Sequence, residues 1–233
     1  MASTRFPGKP LVDLMGKPMV QWVVEAALVS HITDRIIVAT PDQEIIDACD
    51  SFGAEAIRTR LDHQSGTDRI AEVSETLAAE ILVNVQGDEP LVDPETIRAC
   101  AEPLLRNPQV RMGSVWTPCS DEELENPACV KVVTSLQGDA LYFSRYPVPF
   151  PRNNRPEAVK KHIGIYAYRR EVVQAFATWA QTPLELAEGL EQLRFMENGV
   201  AIRMTQGTSS PVAVDTPEQA DEVRRILEGR PTH

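Results

Sequence analysis

The chain of 233 residues is 42% hydrophobic, 24% charged and only 6% aromatic, an ordinary globular composition that excludes disorder and collagen-like repeats. With 23 Lys and Arg against 34 Asp and Glu, the formal charge of −11 argues against a broad nucleic-acid footprint or a polybasic membrane surface, so an anionic ligand needs a local basic pocket. No apolar run approaches the ~20 residues of a membrane helix and the start lacks a signal-peptide core, so a cytoplasmic chain is expected.

The opening places Arg5, Lys9 and Lys17 among Pro7-Gly8, Pro10 and Gly16. This is not a Walker A loop, but Pro-Gly turns leave backbone amides and cations free to converge on phosphate; a solvated terminus is the plainer alternative. Arg35 to Thr40 then reads as a strand, Asp42 to Phe52 as a helix stopped by Gly53, and Ala54 to Arg58 as a strand. His63 through Arg69 is a polar, Gly-containing loop opening onto a helix over Thr67 to Glu80, a place where a nucleobase or phosphate can be held. Ile81 to Gln86 reads as a near-continuous buried strand, with Gly87-Asp88-Glu89-Pro90 directly after it. Ligands of doubly wound sheets sit beyond the carboxyl ends of strands, where Asp88 projects, and a carboxylate there suits Mg²⁺ bridging substrate phosphates; a polar turn without a task is the alternative. Pro94 to Asn107 returns to helix and Arg111 to Thr117 to strand. This βαβα rhythm implies an α/β fold with a mostly parallel central sheet and helices on both faces.

The second half changes character. Val130 to Thr134 and Ala140 to Phe143 flank a Gln137-Gly138-Asp139 turn and read as an inserted antiparallel hairpin, followed by a Pro-rich, basic excursion over Tyr146 to Lys161. Helices follow over Val172 to Ala180 and Pro183 to Asn198, then a strand near Val200 to Thr205. Thr216-Pro217-Glu218-Gln219 supplies an N-cap, a Pro at the first helical position and a capping-box Gln for a last helix to about Glu228. Asp215 precedes it and, if it meets Asp88 in space, makes a two-carboxylate magnesium site. His162, Tyr166, Arg145, Glu191 and Gln192 form a scattered polar set, each with a structural alternative. Cys49, Cys100, Cys119 and Cys129 lack metal-ligand or disulfide spacing and read as small buried hydrophobes. With no repeat or linker, the chain reads as one domain over residues 1–233, with the hairpin and excursion at about 130–168.

Taken in order, several stretches resemble the 3-deoxy-manno-octulosonate (Kdo) cytidylyltransferase family of lipopolysaccharide assembly: Ser3 through Leu11, Gly16-Lys17-Pro18-Met19, Ile37 through Thr40, His63 through Arg69, Val83 through Pro90, Val130 through Val133, Ala140 through Arg145, His162 through Tyr166, Leu190 through Arg194 and Val214 through Glu218. They span nearly the whole chain. The resemblance implies a Mg²⁺-dependent nucleotidyltransferase of the nucleotide-diphospho-sugar transferase fold, making CMP-Kdo and pyrophosphate from CTP and Kdo. It assigns Asp88 and Asp215 to Mg²⁺, Arg5 and Lys9 to the triphosphate, and Gln64 and Ser65 to the cytosine side. Gln86, Arg145, His162, Tyr166, Glu191 and Gln192 become the Kdo pocket, with the cationic members facing the sugar carboxylate, and the hairpin becomes the surface of a homodimer. The 8-amino analogue of Kdo, a sialic acid, or a non-catalytic nucleotide or sugar binder are the alternatives.

One departure accompanies these matches. Family members begin with an apolar strand and an Ile-Pro-Ala-Arg sequence, and Met1 stands just after the place of that Arg. A missing first strand is expected to leave unpaired edges on two neighbouring strands. A mis-assigned start or a truncated chain fits better than a natural deletion, because every downstream motif is intact; a chain truly starting at Met1 is expected to be poorly soluble and weakly active.

Overall fold

The computed structural model describes residues 6, 8–63, 65–153, 158–208 and 212–229. A short 3-10 turn, Lys9–Leu11, leads into a small antiparallel pair, β1 (Asp13–Leu14) and β2 (Lys17–Pro18), and helix α1 (Met19–Val29). Strand β3 (Ile37–Thr40), helix α2 (Gln43–Ser51) and strand β4 (Glu55–Arg58) form one crossover unit, its strands paired in parallel as a separate two-stranded sheet. Helix α3 (Gly66–Glu75) starts on a Ser65 capping box and precedes β5 (Ile81–Asn84), α4 (Pro94–Arg106), β6 (Met112–Pro118) and the short α5 (Asp121–Glu125). The hairpin β7 (Lys131–Thr134) and β8 (Ala140–Ser144) is followed by the long β9 (Lys160–Arg169), helices α6 (Arg170–Phe176), α7 (Pro183–Glu188) and α8 (Gln192–Glu197), strand β10 (Ile202–Gln206) and α9 (Pro217–Glu228).

The main sheet has six strands in the order β10-β6-β9-β7-β8, with β5 also paired to β9. It is mixed, which corrects the expectation of a mostly parallel sheet: only β10 and β6 pair in parallel, while β9 runs antiparallel to β5, β6 and β7. Since β5 and β6 both oppose β9, they run in one direction, as a β5-α4-β6 crossover requires. The chain returning from the hairpin has inserted β9 between them, so the rhythm foretold direction but not adjacency.

Helices cover both faces. Ile163, Ile165 and Ala167 of β9 pack with Ile97, Cys100 and Leu104 of α4 on one side. Tyr168 packs with Val172, Val173 and Phe176 of α6 and Phe195 of α8 on the other, the alternation a strand imposes. A third cluster joins Leu14 and Met19 to Val214 and to Val223 and Leu227 of α9, drawing the two ends of the chain together. Three boundaries differ from expectation. The helix over Thr67 to Glu80 ends at Glu75, the run Pro183 to Asn198 is broken by Gly189 at φ 63°, and β5 is half-buried because β9 is its sole strand partner among the described residues. Likewise, among the described residues, β3 pairs with β4 alone. No helix among the described residues is long and apolar enough to cross a membrane.

Candidate active site

Three loops meet at one ammonium group. Gly8, at φ 71°, turns the chain into the Lys9–Leu11 turn, and Lys9 Nζ donates to Asp88 Oδ2 at 2.7 Å and to Asp215 Oδ1 at 2.9 Å. The Asp88 loop is held against the Asp215 loop by the backbone, Val214 N donating to the Asp88 carbonyl at 2.8 Å. Asp215 is fixed by the start of α9, where Gln219 Oε1 accepts from the backbone N–H groups of both Asp215 and Thr216. Burial alone would lower the Lys9 ammonium, but its hydrogen bonds and attraction to Asp88 and then Asp215 hold it above its ordinary range. Beside Asp88, the Glu89 carboxyl is pushed up to about 8 by burial and by its charged neighbour, and Glu89 Oε2 has no hydrogen-bond partner among the described residues.

The second half of the site is built on a bulge. Ser114 of β6 lies opposite Tyr166 while Val115 lies opposite Ile163, so Gly164 and Ile165 are extra residues on β9. In a regular strand, residues four apart are separated by roughly 13 Å. Here the bulge brings the rings of His162 and Tyr166 to 5.4 Å, and it turns the Gly164 carbonyl outward to accept from Gln86 Nε2 at 3.2 Å. A small cavity of about 120 Å³ opens there, lined by Thr67, Asn84, Gln86, Tyr166 and Glu191 among others. Tyr166 OH donates to Gln192 Oε1 at 3.3 Å, and burial pushes the Glu191 carboxyl up against the opposing pull of Thr67. Thus Gln86, Tyr166, Glu191 and Gln192, drawn from three elements, are brought together. A larger groove of about 370 Å³ between Gly8 and the start of α2 is lined, among the described residues, by Pro10, Leu11, Asp42 and Glu44.

The remaining candidates are placed differently. Arg5 and Gln64 lie outside the described residues. Lys17 does not join Lys9: its ammonium is paired with Glu25 at 2.8 Å and lies over the Trp22 ring. Ser65 is the N-cap of α3, its hydroxyl engaged with Asp68, and its side chain also touches Glu191. Arg145 spends its guanidinium on backbone carbonyls, Nε on Glu188 at 2.8 Å, Nη1 on Pro127 at 3.0 Å and Nη2 on Gly189 at 3.3 Å, and does not line the cavity. Burial pushes the His162 imidazole down to about 3, and the ring sits edge-on to Phe143 at 4.9 Å. Thr67, Asn84 and Glu89 were not singled out as site residues from the sequence. The one available signal was Glu89 itself, an acid leading an otherwise apolar Pro90-Leu91-Val92 stretch.

Known proteins converge on one family. A family model described as cytidylyltransferase matches residues 1–202. The 3-deoxy-manno-octulosonate cytidylyltransferase of Syntrophotalea carbinolica is 44% identical, covering 98% of this chain and 95% of its own. That of Pseudomonas fluorescens is 48% identical over 97% and 94%. A solved CMP:2-keto-3-deoxy-manno-octonic acid synthetase complexed with CTP matches with a TM-score of 0.93 at 42% identity, covering 97% of this chain and 93% of that one. A 4-diphosphocytidyl-2C-methyl-D-erythritol synthase from Anaerococcus prevotii, 14% identical with a TM-score of 0.63, shares the fold over 94% of this chain and 93% of its own. With identity of this level over nearly its full length, the chain belongs to the 3-deoxy-manno-octulosonate cytidylyltransferase family.

Proposed function

We infer that this chain transfers CMP from CTP to Kdo, releasing pyrophosphate. The observation that carries the reading at the site is the meeting of Lys9, Asp88 and Asp215 beside a polar cavity. The anomeric hydroxyl of the sugar forms the new bond to the α-phosphorus as the bond to pyrophosphate breaks, so the protein's task is to position two anions and stabilise charge. Lys9 supplies positive charge to the triphosphate, and Gln86, Tyr166, Glu191 and Gln192 offer hydrogen bonds to a polyhydroxy ligand. Ser65, between the α3 N-terminus and Glu191, stands where nucleotide and sugar would adjoin.

Asp88 and Asp215 fit a magnesium ion. They already share one cation, the Lys9 ammonium, and Mg²⁺ is commonly held by one or two carboxylates with the rest of its shell left to water and phosphate. When bound, the ion would neutralise phosphate charge and stabilise the leaving pyrophosphate. The homodimer is proposed through the hairpin, where Leu136, Leu141, Tyr146 and Phe150 are exposed.

The test is pyrophosphate release from CTP, Kdo and Mg²⁺. Release that requires all three is expected, and Asp88→Asn is expected to reduce it roughly a thousandfold while circular dichroism stays unchanged. Release independent of Kdo, or full activity in the variant, would overturn the reading.

A further inference from the structure

Ser114 is fully buried on β6, and three groups converge on its hydroxyl: the Ile165 carbonyl at 2.8 Å, the Ile163 carbonyl at 3.4 Å and His162 Nε2 at 2.9 Å. Carbonyl oxygens only accept, so the single hydroxyl proton goes to them, the nearer first, and the serine oxygen is left as an acceptor toward the ring. The imidazole must therefore donate from Nε2, which leaves Nδ1 a bare acceptor. Among the described residues Nδ1 takes part in no hydrogen bond. The half-buried ring lies beside Tyr166, which lines the cavity.

We propose that Ser114 is a positioning residue for the acceptor sugar, fixing His162 as its Nε2–H tautomer so that Nδ1 accepts a hydroxyl of the polyhydroxy acid. The proposal rests on the cytidylyltransferase reading given above. It gives His162 a definite preference: an acceptor atom rewards a ligand hydroxyl and repels a carboxylate, the opposite of what an imidazolium would do. The bulge is what makes the arrangement possible, since it lets one buried hydroxyl reach Ile165 on the extra pair and the ring of His162 before it.

Nitrogen-15 spectra of the histidine rings, with the His162 signals assigned through His162→Gln, read the tautomer directly in the whole protein. In the wild type at neutral pH the expected signature is a protonated Nε2 and a pyridine-like Nδ1 that shifts when Kdo is added. Ser114→Ala should lose the fixed tautomer and raise KM for Kdo roughly tenfold, with KM for CTP and kcat within about twofold, whereas Ser114→Thr, which keeps the hydroxyl, should restore both. A protonated Nδ1 or an imidazolium in the wild type overturns the proposal, as does an alanine variant with an unchanged tautomer or with both KM values raised alike. Should Ser114→Ala fail to fold, the wild-type spectrum with and without Kdo still decides. A wild type that shows the expected tautomer but never turns over Kdo would sink the cytidylyltransferase reading instead.

Discussion

The Lys9 ammonium lies between the Asp88 and Asp215 carboxylates, 2.7 Å from one and 2.9 Å from the other. Removing it leaves Asp88 and Asp215 facing each other with like charge, a state that a divalent ion relieves. Lys9→Met is therefore expected to bind Mn²⁺ roughly tenfold more tightly without nucleotide, read by electron paramagnetic resonance, while kcat/KM falls about a hundredfold. Unchanged Mn²⁺ affinity would show that the ammonium and the metal do not compete. His162 makes a second prediction. An ordinary imidazole titrates at 6.5, and burial pushes this one down to about 3. As pH falls below 6.5 the unfolded chain takes up a proton that the folded chain refuses, so this residue's contribution to stability is complete above 6.5 and is lost toward pH 3. Urea unfolding at pH 7 and pH 5 should show a larger loss for the wild type than for His162→Gln; equal losses would contradict the neutral, buried ring.

Among the elements, the break between α7 and α8 is spanned by a buried ion pair. Arg194 and Glu185 form an ion pair with only 8% and 5% of their side chains exposed, and the guanidinium also lies over the Phe176 ring at 4.1 Å. This pair clamps two short helices across Gly189, and Glu191 and Gln192 project from the corner it holds. Glu185→Gln should cost about 3–5 kcal/mol in urea unfolding, because a buried guanidinium loses its charge partner, and should weaken Kdo binding more than CTP binding. A loss below about 1 kcal/mol would mean the corner is held by packing alone. The same segment shows what sequence reading reaches. Thr216 to Gln219 was legible because a cap is local chemistry, and in the structure Gln219 Oε1 also accepts from the Asp215 backbone N–H. Gly189 was not, since Pro183 to Asn198 keeps helical spacing across it, and the turn is fixed by contacts from residues outside it such as Arg194 and Arg145. The bulge at Gly164-Ile165 is equally silent, an apolar stretch whose extra residues show only against β6. For Arg145 the sequence shows a cation beside a motif and not the three carbonyls of distant residues that hold its guanidinium.

At the scale of the whole molecule, β8 ends the main sheet and, among the described residues, has no strand paired to its outer edge; Leu141 is exposed on it, with Tyr146 and Phe150 further along the excursion. An exposed edge next to apolar side chains invites pairing with a second copy. Sedimentation should give a dimer for the wild type and a monomer for a Leu141→Arg, Phe150→Arg variant; a wild-type monomer would remove the hairpin from consideration as an interface. The two sheets have a different consequence. Among the described residues the β3–β4 pair shares no ladder with the larger sheet, so its amides are guarded by their own two strands and the helices beside them, while those of β9 are held from both sides. A unit tied in by side chains alone can open without the rest unfolding, and its amide protons should exchange with solvent deuterium well before those of β9. The chain leaving β4 runs directly to Ser65 at the head of α3, while Asp88 follows β5 of the larger sheet. A nucleotide reaching from one to the other would act as a bolt across the seam, and CTP should slow exchange in β3 and β4 far more than in β9.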